Sequence, residues 1–354
     1  MAISHGRFSA KKVIHPILSL VLVVVIFVFI LPRIVNLSAV WDTIRRMTWL
    51  ELASLSAVAL WNLVTYWIVL LKTVPGLTLG QAIVVTESAT ALSNALPGGP
   101  AFGLGLSYSM YASWGFERPH IAIALLYSGM ADLFAKLSMP LLALILLALT
   151  GPVSVGLITA AFIGTAILVA SVILISLAIS SDKGAHAVGD GLERVASFFL
   201  RIVHRSPRLD WGQSIANFRD HAMTAFRNRW HGIIGAGLLS HFSLYLVLLM
   251  ALRHVGVSEA EVGWIQVLSA FAFVRLLSAL PLTPGGVGVV ELGLTGALVF
   301  AGGARAQVVA AVLVFRALTY LVQIPFGVAT YLYWRHSNAW RDLEKRHAAP
   351  EGAA

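Results

Sequence analysis

Residues 275–291 read Arg-Leu-Leu-Ser-Ala-Leu-Pro-Leu-Thr-Pro-Gly-Gly-Val-Gly-Val-Val-Glu, with apolar sequence on both sides. Pro281 and Pro284 cannot continue a helix, because each lacks an N–H and clashes with the preceding turn. Gly285, Gly286 and Gly288 then allow the backbone to turn. The spacing predicts a helix that enters, breaks, and is followed by a second that leaves. Lipid cannot satisfy the free N–H and C=O groups of a break, so such a segment must be buried in protein or line a wet cavity. Arg275 and Glu291 flank the break with charge, which marks it as the expected functional centre.

Working outward, 58% of the 354 residues are hydrophobic and only 12% charged. A soluble domain carries about 25% charged residues. Apolar runs of about 20 residues point instead to an all-α polytopic membrane protein. Full spans are expected at about 17–31, 52–71, 121–149, 153–179, 233–252 and 308–334. The first follows Arg7, Lys11 and Lys12 as in a signal peptide. It lacks a small-residue cleavage site, so we expect it to be retained. Two further regions, 79–114 and 262–300, are apolar but interrupted, and each fits two short helices around a break. The net charge of +9 does not indicate nucleic acid, because the basic residues sit at span ends as in cytoplasmic loops. The chain has no cysteine, which excludes disulfides and thiolate metal sites. Residues 180–230 form the long polar connector. Leu192, Val195, Phe198, Phe199 and Ile202 recur there at helical spacing, which fits an amphipathic helix on the membrane or a solvated loop.

The first interruption contains Asn94, then Leu96-Pro97-Gly98-Gly99. It pairs with the second: Tyr66 with Tyr245, Pro97 with Pro281 and Pro140 with Pro325, at offsets of 179, 184 and 185. This predicts two repeats, about 52–149 and 232–334, within a single transmembrane domain. With the N-terminus inside, seventeen Lys/Arg fall on the cytoplasmic side and five outside, so both termini are expected in the cytoplasm of a cell membrane. Three crossings separate the repeats, which makes them inverted. Their two broken, re-entrant hairpins then insert from opposite sides, as in transporters.

At these residues the chain resembles the lysylphosphatidylglycerol synthase transmembrane, flippase-like family. The shared pattern is Leu280-Pro281-x-x-Pro284-Gly285-Gly286-x-Gly288-x-x-Glu291, then Gly302, Arg316, Pro325 and Gly327, with Asn94-x-Leu96-Pro97 at the first break. The resemblance implies an integral membrane protein that moves lipids, or lipid-linked sugars, between leaflets. In bifunctional members a soluble aminoacyl-transferase domain follows. This sequence ends at Ala354, so that activity is expected to be absent. The family often places Glu and Arg just past the first break, where this chain has Gly103-Leu104-Gly105-Leu106-Ser107.

Six charges fall within apolar segments: Glu87, Asp132, Lys136, Arg275, Glu291 and Arg316. Each needs a partner or water, since a charge in hydrocarbon costs about 2.5–3.5 kcal/mol even on the cheapest scale. Asp132 and Lys136, four apart, can pair on one helix face. Glu291 either holds one arginine and leaves the other for a lipid phosphate, or closes a structural triad with both Arg275 and Arg316. Glu87 either faces the cavity or lies near the surface. Helix N-termini leaving the breaks near Gly286 and Gly99 could attract anions, or the Pro and Gly residues simply permit close packing. Histidines such as His231 and His241 are scattered and fit interfacial positions without metal spacing. No cofactor, enzymatic step or nucleotide-phosphate motif is indicated. The expected function is a lipid flippase or scramblase acting on an anionic phospholipid or polyprenyl-phosphate lipid. The alternatives are an accessory membrane protein scaffolding a lipid or glycan synthase, or a small-solute secondary transporter; a second copy of the chain or a lipid-synthesis enzyme are the candidate protein partners.

Overall fold

The structure is a computed structural model. It describes residues 45–96, 99–150, 229–278 and 284–337, with isolated positions at 42, 159, 163 and 166. The expected span at 17–31, that at 153–179 apart from the three isolated positions, the polar connector apart from Arg229 and Trp230, and Pro97, Gly98 and Pro281 lie outside the described residues.

Among the described residues the chain is helical, without strands. Helix α1 is Trp49–Thr73, α2 Leu79–Ala95, α3 Gly99–Ser113 and α4 Arg118–Thr150. After the connector come α5 Trp230–His254, α6 Trp264–Leu277, α7 Val289–Phe300, α8 Arg305–Arg316 and α9 Gln323–His336. α1, α4, α5 and the combined α8–α9 rod are long and apolar enough to cross a membrane. They match four of the spans expected from sequence. Both interrupted regions are split as their Pro and Gly residues predict. The protein is an all-α, multi-pass membrane protein.

Local chemistry sets the ends. α1 and α2 start at capping boxes, Thr48 with Glu51 and Thr78 with Gln81, each satisfying two otherwise orphaned backbone donors. The α5–α6 turn is tied by Arg253, which donates to Glu259 and to the carbonyl oxygens of Val257 and Val262. In the same turn, hydrogen bonds from the backbone N–H and hydroxyl of Ser258 hold the Glu261 carboxyl below the usual carboxylate range. Within the last rod, Ala317–Leu321 form one π turn, closed by Val322 N–H donating to the Ala317 carbonyl at 3.0 Å. Pro325 follows at once. It removes a donor and crowds the turn four residues back, and a wide turn accommodates both effects.

The order long helix, short helix, break, short helix, long helix occurs twice. Packing crosses between the two halves. α1 lies along α5, where Asn62 Nδ2 donates to the Ser240 carbonyl at 3.3 Å. α2 packs on α9 of the other half, and α6 packs on α4. The two breaks also meet: α2 touches the Pro284–Gly286 turn, and the Tyr320 hydroxyl donates to the Asn94 carbonyl at 2.9 Å. Val247, Leu248, Ala251 and Leu252 of α5 are fully enclosed. Leu60, Trp61, Ile145, Leu292 and Phe300 face outward, as a lipid-facing surface requires.

Gly327 sets the α2–α9 separation. A Cβ there would lie 2.2 Å from the Glu87 carbonyl oxygen and 2.4 Å from Ala91 Cβ. Neither neighbour is the end of a flexible side chain. Gly327→Val must therefore push the two halves apart. The expected result is loss of monodisperse protein on size-exclusion chromatography in detergent; recovery at wild-type yield and melting temperature would contradict it.

Candidate functional site

The second break is built by three glycines with positive φ: Gly285 at 56°, Gly286 at 68° and Gly288 at 81°. α6 ends at Leu277, a short 3₁₀ turn covers Pro284–Gly286, and α7 begins only at Val289. The new helix thus starts three residues later than the expected start at Gly286. At Gly285 the backbone also runs against Tyr320, so an added Cβ would sit 2.2 Å from the ring.

The α7 N-terminus is already occupied. Glu291 Oε2 accepts the Gly288 N–H at 2.6 Å, so a carboxylate of the chain itself sits where an external anion was anticipated. Glu291 Oε1 accepts from Arg316 Nε at 2.5 Å. Arg316 also donates to the Gly285 carbonyl at 3.1 Å and lies over the Tyr320 ring at 4.3 Å. With side chains only 8% and 15% exposed, Arg316 and Glu291 form a buried pair. It ties the break to α7, α8 and the π turn.

Arg275 is not part of that assembly, so no closed triad forms. It lies within electrostatic reach of Tyr66, Asp132 and Lys136 of the first half and of His241 on α5. Asp132 Oδ2 accepts from Lys136 Nζ at 2.6 Å, the expected i, i+4 pair. Among the described residues nothing hydrogen-bonds to Arg275 Nε, although that atom is buried.

A cavity of about 480 Å³ lies between the halves, at the two breaks. Asn94 and Gly99 from the first break line it, as do Gly285 and Gly286 from the second. Asp132, Lys136, Arg275 and Arg316 supply its charge. Tyr66, Ser93, Ser107, Ser278, Thr319 and Gln323 add polar groups. These hydroxyls and the amide escaped the sequence reading, because Ser and Thr occur throughout membrane helices without a marking pattern. Gly288 and Glu291 stand behind the wall and hold it in shape. Pro284 lies in the 3₁₀ turn.

Two residues lie elsewhere than expected. Glu87 neither faces the cavity nor nears the surface. It is 1% exposed between α1, α2 and α9, and its Oε1 accepts from Trp67 Nε1 at 2.8 Å. His231 is exposed and stacks on Trp230, as an interfacial residue would. His241 is not interfacial: it is 4% exposed, behind Asp132. Its position on α5 becomes visible only when α4 is packed against that helix.

Charge in the cavity does not balance. Lys136 is neutralised by Asp132 and Arg316 by Glu291. Among the described residues one positive charge remains, on the guanidinium of Arg275.

Residues 17–327 match the family described as Lysylphosphatidylglycerol synthase TM region. The chain belongs to that family. The match spans both breaks and the charged cavity between them, and it makes the chain a membrane protein of a lipid-handling family. No curated protein matches the chain.

Proposed function

We propose that this member of the family moves an anionic lipid between leaflets of the cell membrane, passing the headgroup through the cavity while the chains stay in the bilayer. The observation that carries the reading is Arg275, uncompensated among the described residues, with its buried Nε unbonded to any of them, in a polar hollow between two broken helices. A guanidinium presents paired N–H donors that match phosphate oxygens bidentately. A lipid phosphate would remove the cost of leaving that charge unpartnered in a membrane interior. The Ser and Thr hydroxyls and the Gln323 amide offer neutral partners for the rest of the headgroup.

Two features support transport over a merely structural role. The breaks converge on one cavity, where irregular backbone can be wetted. The crossed packing, α2 on α9 and α6 on α4, is compatible with an inverted repeat, and discontinuous helices at such an interface recur in transporters. In this reading both termini are cytoplasmic and the gradient or lipid imbalance across the membrane supplies the driving force.

The test is reconstitution into liposomes carrying trace fluorescent phosphatidylglycerol, phosphatidylethanolamine or a polyprenyl-phosphate sugar, with leaflet exposure read by dithionite quenching. Protein-dependent exchange of at least one anionic lipid is expected. Exchange no faster than in protein-free liposomes for every lipid would overturn the proposal.

A further inference from the structure

His241 sits at the centre of an arrangement that the headgroup site alone does not require. Its Nδ1 lies 3.1 Å from the Gly237 carbonyl oxygen. A carbonyl oxygen only accepts, so Nδ1 carries a hydrogen. In the neutral ring Nε2 is then a bare acceptor. It is buried, has no hydrogen-bond partner among the described residues, and lies 3.5 Å from Asp132 Oδ1. Two acceptors thus face each other with no hydrogen between them. One proton on Nε2 would turn that opposition into an ion pair.

The neighbours decide when that proton is welcome. From α4, Asp132 and Lys136 face the ring; from α6, Arg275 lies within reach. α1 brings Tyr66 toward Asp132 and Arg275, and α8 places Arg316 on the far wall of the same cavity. Without an anion at Arg275, the charged groups described around the cavity are one positive in excess, and a cationic imidazole would add a second. An anion bound at Arg275 cancels the excess and makes room for it. By linkage, a ligand that favours the protonated ring must bind tighter when the ring is protonated.

We propose that His241 is a proton-binding site coupled to anion binding at Arg275, so that a phosphate headgroup and a proton occupy the cavity together. This inference rests on the headgroup reading above. The proton comes from hydronium or a protonated buffer in the solvent, whose bond to hydrogen breaks as the Nε2–H bond forms, and it is held by Asp132 Oδ1. Close packing supports a built rather than incidental contact: a Cβ at Gly237 would lie 2.9 Å from the Ala131 carbonyl oxygen, so glycine there lets α5 bring the ring against α4.

The experiment is calorimetric titration of the full chain in detergent with short-chain dihexanoyl phosphatidylglycerol. It is run at several pH values in buffers of different ionisation enthalpy, with inorganic phosphate as a second arm. Wild type is expected to take up close to one proton per bound probe. Affinity should then fall by about tenfold per pH unit where the ring must gain its proton on binding. His241→Asn keeps a donor for the Gly237 carbonyl and is expected to bind with no uptake. A response to the phospholipid alone assigns the site to lipid, and a response to both assigns it to the phosphate group. Binding that depends on Arg275 but shows no proton uptake in wild type overturns this inference and leaves the headgroup reading standing. So does undiminished uptake in His241→Asn. No binding of either probe overturns both. If the variant fails to fold, absence of proton uptake in wild type still overturns the inference.

Discussion

Replacing Arg275 with alanine is expected to abolish protein-dependent lipid translocation in liposomes while leaving the fold intact. Among the described residues Arg275 holds the one cavity charge without a carboxylate partner, so its loss removes the phosphate-binding group and strands no buried acid. Charge-assisted hydrogen bonds contribute about 1.5–3 kcal/mol each. Losing a bidentate pair then weakens binding by on the order of a hundredfold or more. Removing a half-buried cation that has no ion-pair partner among the described residues should also leave the melting temperature unchanged or raised. Arg275→Lys keeps the charge but loses the planar fork, and is expected to retain a small fraction of the activity. Translocation by Arg275→Ala at the wild-type rate would remove the proposed site. A collapsed melting temperature would show instead that the guanidinium is structural.

Arg316→Ala is expected to behave in the opposite way and to fail in folding before it can fail in transport. Its guanidinium satisfies Glu291 and the Gly285 carbonyl and covers the Tyr320 ring. Truncation strands a buried carboxylate at the tip of α7, and breaking a buried pair from one side costs about 3–5 kcal/mol. The measurement is thermal unfolding in detergent together with the yield of monodisperse protein. Glu291→Gln combined with Arg316→Met should recover most of the loss. The amide oxygen can still accept the Gly288 N–H, and neither side chain is then an unpaired charge. An Arg316→Ala protein as stable as wild type would show that the pair does not hold the break together. The two arginines, equal candidates in the sequence, are thus separated by opposite expected signatures: lost function with an intact fold, and a lost fold.

Much of this was legible in the chain itself. Apolar run length announced the long helices, because crossing hydrocarbon demands about 20 residues at 1.5 Å each. Pro and Gly fixed the breaks, since the missing N–H and the positive φ at Gly285, Gly286 and Gly288 are properties of those residues and not of their neighbours. The Asp132–Lys136 pair followed from helical periodicity alone. Each of these effects acts over a few residues, and the amino-acid order suffices to state it.

Tertiary structure decided the rest. Glu291 and Arg316 are 25 residues apart, and Asp132 and His241 are 109 apart. Which arginine Glu291 would take, whether Glu87 met Trp67 or the cavity, and that His241 would stand behind Asp132 all depended on how helices from different halves pack. Hydrogen bonds and charge pairs form within about 4 Å, whereas the sequence constrains position only along a single helix. The approach of α4 to α5 and of α2 to α9 brought these groups within that range, and with it determined which charge was left without a partner.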